Sequence, residues 1–190
     1  MRGKIERSLR IVTSNRCKAR EIAEVLAEYG INTIRRNVET LEIQADDLTP
    51  IASEKARSVA AMVHAPYCVE EAGLFIEALS GFPGPYSSYV HKTLGFEGIL
   101  KLMRDEENRR AFFLSVAVLI SDGQSKHFVG RTVGKISTHA RGAGGFGFDP
   151  IFITEGTGGR TFAELTLHEK NRLSHRGRAF RSLASFLISL

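Results

Sequence analysis

The sequence predicts an α/β protein with a mixed sheet, and three observations carry that prediction. Strand and helix patterns alternate over residues 9–69, as they do where parallel strands are joined by crossover helices. Two long apolar runs then flank Asp122-Gly123, the strongest hairpin signal in the chain. The closing region opens with a capping box and carries a helical apolar face, so helices pack on the sheet.

Residues 9–13, LRIVT, read as a short buried strand. From Lys18 to Tyr29, the residues Ile22, Val25, Leu26 and Tyr29 fall at i, i+3, i+4 and i+7, one face of a helix. Gly30 follows as a natural helix stop. Residues 31–36 form a second strand. Residues 51–64 are alanine-rich and helical, and Pro50 can open that helix. Residues 67–69 are a third strand that ends at Glu70-Glu71. A turn-rich loop, GFPGP at 81–85, precedes a short helix over 96–104. The hairpin strands span 111–121 and 126–136. Residues 142–150 are glycine-dense, with a brief strand at 151–153. Thr166 and Glu169 make the capping box of the last helical region. Its buried face holds Leu173, Phe180, Leu183, Phe186, Leu187 and Leu190. No repeat or low-complexity tract divides the chain, so residues 1–190 read as one domain.

A length of 190 residues with 43% hydrophobic residues supports a real core and argues against disorder. Two cysteines, Cys17 and Cys68, make no disulfide framework, which favours a reducing compartment. The longest apolar run, 111–120, is too short for a membrane helix, which needs about 20 residues. The first residues lack the apolar stretch of a signal peptide. The expectation is a cytoplasmic globular protein. Its net charge of +5 is unevenly spread. Residues 1–20 hold seven Lys/Arg against one Glu, and residues 160–182 hold six against two acids, so the middle of the chain is acidic. That asymmetry points to a polyanion site where the two ends meet, with Arg2, Lys4 and Arg7 as a solvated arm.

Four segments carry candidate chemistry. Thr13 to Lys18 lies between a strand and a helix, where free N–H groups and the helix dipole favour phosphate; Thr13 and Asn15 add side-chain donors and Lys18 a charge. The plain alternative is Ser14 or Asn15 as an N-cap with Lys18 solvated. The acids Glu42, Asp46, Asp47, Glu70 and Glu71 suit a hard cation such as Mg²⁺, and Glu70 and Glu71 must face opposite ways along a strand. No Cys/His cluster has zinc spacing. In the glycine-dense segment Phe146 and Phe148 are candidates to stack on a base and Asp149 to accept a ring N–H, unless the phenylalanines are core. Finally, Lys170 and His175 lie about 140° apart around a continuous helix, so a shared ligand requires a break near Ser174.

These segments also carry a resemblance. TSNRCK at 13–18, LEIQA at 41–45, VEEAGLFIEALSGFPGPYSSY at 69–89, GFGFDPIF at 145–152 and FAELTLHEKNRLSHRGRAF at 162–180 occur in the right order. Together they resemble the inosine triphosphate pyrophosphatase family, also called XTP/dITP pyrophosphatases, over residues 9–187. The resemblance implies an elongated mixed β-sheet flanked by helices, with two lobes and a central cleft. It implies Mg²⁺-dependent attack of water on the α-phosphorus of ITP, dITP or XTP, giving the monophosphate and pyrophosphate and cleansing the nucleotide pool. It also implies a homodimer, with no nucleic acid or membrane as partner.

By the same resemblance, Thr13, Ser14, Asn15, Arg16, Cys17 and Lys18 form the triphosphate loop. Glu42 and Glu71 are the metal ligands, and Glu71 is also the proton acceptor. Lys55 contacts phosphate. Phe146, Gly147, Phe148 and Asp149 form the base pocket, and Lys170, His175 and Arg176 complete the substrate site. The family's usual Asp/Glu-Asp-Ser-Gly is here Glu70-Glu71-Ala72-Gly73, so Glu71 is one methylene longer and Ala72 lacks a substrate-contacting hydroxyl. Two rivals remain: a nucleic-acid-binding protein, suggested by the sequence pI of 9.4, and a related-fold pyrophosphatase for modified pyrimidine triphosphates.

Overall fold

The computed structural model describes residues 8–189, so the basic arm expected of Arg2, Lys4 and Arg7 lies outside the described residues. The chain begins with a parallel pair. Strands β1 (Ser8–Val12) and β2 (Asn32–Arg36) run side by side, joined by helix α1 (Arg16–Ala27). Parallel neighbours need such a crossover, because a tight turn would reverse the direction of the chain. α1 starts two residues before Lys18 because Asn15 caps it, its side chain accepting the Lys18 N–H at 3.0 Å.

α2 (Leu48–Ser58) starts and stops earlier than the expected 51–64. Asp47 causes the early start by accepting the Thr49 N–H at 2.5 Å. Pro50 then falls inside the first turn, where its missing N–H is not needed. β3 (Tyr67–Ile76) corrects a second expectation, since it is ten residues long. It lies parallel to β1 and pairs antiparallel with β5 (Arg110–Ser121), from Tyr67↔Ile120 to Ile76↔Ala111. Glu70, Glu71 and Gly73 favour strands weakly, but a full-length partner overrides that preference. Glu70 and Glu71 therefore sit in mid-strand, not at a strand end.

The expected turn-rich loop contains β4 (Pro83–Gly84), paired to β3, and leads into α3 (Ser87–Thr93) and α4 (Gly95–Leu102). β5 and β6 (Gln124–Ile136) form the expected hairpin, with φ 50 at Asp122 and 74 at Gly123, the left-handed pair of a type I′ turn. β7 (Phe152–Thr154) closes a seven-stranded mixed sheet of order β2-β1-β3-β5-β6-β7, with β4 beside β3. α5 (Leu167–Leu173) opens with the Thr166/Glu169 capping box, and α6 (His175–Ser189) follows after one extended residue, Ser174.

Helices cover both faces of the sheet. On one, Leu9, Ile11, Cys68, Ala117 and Leu119 pack against Ile22, Val25 and Leu26 of α1 and Phe180 and Leu183 of α6. On the other, Val69, Val116 and Val118 pack against Leu48, Ala52 and Ala56 of α2. A third cluster gathers Leu74, Ile99, Phe113, Phe152 and Phe162. Gly130 on β6 admits α6 closely, since a Cβ there would lie 1.9 Å from the His175 carbonyl oxygen. Among the described residues no helix is long and apolar enough to cross a membrane.

Candidate active site

Alternation along β3 sends its two adjacent carboxylates to opposite faces. Glu71 shares the α2 face with Val69. Its Oε1 accepts from Lys55 Nζ at 2.5 Å, and Glu42 Oε1, from the segment before α2, accepts from the same ammonium at 2.6 Å. Burial alone would lower the Lys55 pKa, but Glu71 and Glu42 outweigh it and hold the ammonium above its ordinary range. Burial alone would raise the pKa of Glu42, but Lys55 outweighs it and keeps that carboxyl below its ordinary value. Asp47 is spent as the cap of α2, and Asp46 is exposed.

On the opposite face lies the loop before α1. Thr13 Oγ1 accepts the Asn15 N–H at 3.1 Å and Asn15 Oδ1 accepts the Lys18 N–H. In both bonds the side chain accepts, so each shapes the loop while the Thr13 hydroxyl hydrogen and the Asn15 amide group keep their capacity to donate. Ser14, Arg16 and Cys17 are exposed. Arg35 of β2 donates to the carbonyls of Thr13 and Ser14, each at 3.3 Å.

From this loop an unbroken ion chain runs inward. Lys18 Nζ lies 3.0 Å from Glu70 Oε2, and Glu70 Oε1 lies 3.1 Å from Arg176 Nη2. Arg176 Nη1 meets Glu21 Oε2 at 2.5 Å, and Glu21 Oε1 meets Lys170 Nζ at 2.6 Å. Lys170 then meets Asp149 Oδ2 at 2.5 Å, and Asp149 accepts the Phe146 N–H at 2.7 Å. Glu70, Glu21, Lys170, Asp149 and Arg176 are all buried. Burial raises the pKa of both Glu70 and Glu21, but the neighbouring cations outweigh it and hold both below the ordinary value. At Asp149 burial wins over Lys170 and the pKa is raised.

The aromatic loop departs from expectation at Phe148, which is buried in the third core cluster with its ring edge-on to His91. It therefore fills the core and presents no face to a base. Phe146 is half-buried, with Lys170 Nζ 4.9 Å and the Arg176 guanidinium 5.6 Å from its ring centre. Gly145, at φ 69, leaves room for Asp149 to fold back, since a Cβ there would meet Asp149 Oδ2 at 2.1 Å. Gly147 also takes a positive φ of 67. The helix break expected near Ser174 exists and sets Arg176 in the first turn of α6. His175 is buried and stacks on Phe113 with ring centres 4.5 Å apart. Its burial, with Arg176 beside it, keeps the imidazole neutral well below its ordinary pKa. Ala72 is half-buried and pairs with Ser115 across the ladder.

Glu42 and Glu71 converge on one ammonium with two hard carboxylate oxygens, the donor type that would hold Mg²⁺. Among the described residues no group of three or more His, Cys, Asp and Glu side chains gathers for a metal. The residues present fit the ion as a two-carboxylate site. Sequence reasoning missed Glu21 and Ser115. Glu21 had a signal, for it stands four residues before Val25 on the apolar stripe of α1, where a lone carboxylate needs a buried partner. Ser115, which donates to Glu70 at 2.8 Å, had none.

Fold and site together define a mixed α/β protein whose cations and carboxylates join a helix-start loop to an aromatic loop. The chain belongs to the Ham1 family, whose model matches residues 9–186. A protein of Thermococcus kodakarensis named dITP/XTP pyrophosphatase is 51% identical over 179 residues, covering 94% of this chain and 96% of the relative. A Pyrococcus horikoshii protein of the same name is 48% identical over 176 residues, covering 93% and 94%. The solved structure of a HAM1 protein from Coxiella burnetii superposes with a TM-score of 0.84 at 29% identity, covering 97% of this chain and all of that one.

Proposed function

We propose that the chain hydrolyses the triphosphates of deaminated purines, ITP, dITP and XTP, to the monophosphate and pyrophosphate, with Mg²⁺ as cofactor. The observation that carries this reading is the ion chain from Lys18 to Asp149, which links the helix-start loop to the aromatic loop. The names of the two archaeal relatives support the substrate class. The homodimer and the cytoplasmic location belong to the same proposal.

In this reading Lys18 and Lys55 neutralise the triphosphate, because phosphoryl-type transfer is mostly positioning and charge stabilisation. Glu42 and Glu71 hold Mg²⁺, which when bound supplies further charge neutralisation on the phosphate oxygens. Glu71 accepts the proton of the attacking water. Phe146 offers its ring to the base. A 6-oxo purine has an O6 acceptor and an N1–H donor. Arg176 or Lys170 donates to the first, and Asp149 or a backbone carbonyl accepts from the second. Adenine presents the reverse pattern and leaves buried groups unpaired, at about 1–3 kcal/mol each. The test is product release from ITP, XTP, ATP and GTP, with and without Mg²⁺. Pyrophosphate from ITP and XTP, with ATP and GTP much poorer, is expected. Equal rates on ATP and ITP would remove the base-pocket assignment, and release of orthophosphate would remove the reaction class.

A further inference from the structure

We propose that Glu70 is a positioning residue that holds the phosphate-side and base-side cations in one arrangement, so that triphosphate binding and base discrimination both depend on it. The proposal rests on the pyrophosphatase reading. Three elements converge on this one carboxylate, which is 5% exposed. Lys18 of α1 faces Oε2 at 3.0 Å. Ser115 of β5 donates to Oε1 at 2.8 Å and fixes its orientation. Arg176 of α6 reaches the same Oε1 through Nε and Nη2, each at 3.1 Å. Among the described residues, Glu70 is the carboxylate that forms ion pairs with both Lys18 and Arg176.

Two buried or half-buried cations this close repel one another, and the repulsion is stronger here than in water. The Glu70 charge is what lets them coexist. Arg176 in turn holds Glu21, which holds Lys170, which holds Asp149 under the Phe146 loop. Removing the charge at Glu70 therefore frees Lys18 and leaves Arg176 tied to α1 through Glu21 alone. A phosphate arriving at Lys18 and a base arriving beside Arg176 draw on the same carboxylate. A purely structural ion pair would behave differently, for its loss lowers stability and active fraction evenly across substrates.

The experiment compares the full chain with Glu70→Gln and Glu70→Asp. It reads kcat and KM on ITP and on ATP, and the calorimetric Kd for inorganic tripolyphosphate. In Glu70→Gln the tripolyphosphate Kd should rise roughly fivefold or more and the ITP/ATP ratio of kcat/KM should narrow roughly tenfold, in the usual range for coupled sites. Glu70→Asp keeps the charge and should recover part of both effects. Lys18→Ala and Arg176→Ala should be non-additive with Glu70 present and additive in the Glu70→Gln background. An unchanged ITP/ATP ratio, unchanged tripolyphosphate binding, or additivity with Glu70 present would overturn the proposal. Should Glu70→Gln not fold, the Lys18/Arg176 cycle in the otherwise native chain decides alone. A native chain that releases no pyrophosphate from ITP overturns the pyrophosphatase reading instead, and the tripolyphosphate arm still tests the role of Glu70 in binding.

Discussion

Glu71 meets one ammonium, Lys55, and shares it with Glu42, whereas its neighbour Glu70 is buried among three donors. The Glu71 side chain is part-exposed, whereas that of Glu70 is almost wholly enclosed. Glu71→Gln preserves shape and removes the charge, so turnover on ITP should fall by about 10²-fold or more, the scale for losing a general base. KM should change far less, because Lys18 and the aromatic loop remain. Glu71→Asp restores the residue commoner in the resembling family and should keep substantial activity. Strand alternation alone would make Glu70→Gln the mild substitution of the three. Burial beside two cations reverses that expectation, since a buried cation stripped of its partner is expensive. A Glu71→Gln enzyme with near-native turnover would leave the proton acceptor unidentified and shift the metal ligand elsewhere.

At the scale of elements, the break between α5 and α6 aims Arg176. Ser174 is extended, and its Oγ accepts the Gly177 N–H at 3.0 Å. The start of α6 is then pressed onto Gly130 of β6. Ser174→Ala should cost about 1 kcal/mol, the usual loss for a helix cap. Gly130→Ala should cost more, about 1–3 kcal/mol, because its Cβ meets α6 backbone and not a flexible side chain. Urea titration checks both: the midpoint should drop with the slope unchanged, and more for Gly130→Ala. These features divide by how local they are. The Thr166 capping box, the Ser174 break, the Asp122-Gly123 turn and the stripe of α1 are legible in sequence because each is settled within a few residues. The ten-residue length of β3 was hidden because β5, some forty residues on, supplies its partner. Phe148 stays open between core and site in the sequence, because a glycine-dense segment gives no period from which to tell the two apart; the structure buries it. α2 began early because Asp47, read among candidate metal ligands, serves as its cap.

Across the whole molecule, the two basic ends of the sequence do meet, for Lys18 and Arg176 share Glu70, but buried acids compensate them link by link. That arrangement fixes how stability responds to acid. The buried His175 has its pKa lowered below the ordinary 6.5, so below that pH the unfolded chain takes a proton that the folded protein refuses. Stability should therefore begin to fall as pH drops through 6.5, by up to about 1.4 kcal/mol per pH unit for one proton. Glu21 and Glu70 have folded pKa values below the ordinary 4.5, so their contribution is complete above 4.5 and is lost as pH falls below it. Asp149, with its pKa raised above the ordinary 3.8, acts in the opposite sense, because there the folded protein binds the proton first. The acid limb should thus have two parts, a shallow one from 6.5 to 4.5 and a steeper one below. His175→Phe keeps an aromatic ring against Phe113 and removes the titration, so it should flatten the shallow part and leave the steep part in place. Urea unfolding at half-unit steps from pH 7.5 to 3.5 measures both slopes. The same slope between 6.5 and 4.5 in the two proteins would mean that another group titrates there and that His175 takes its proton freely in the fold.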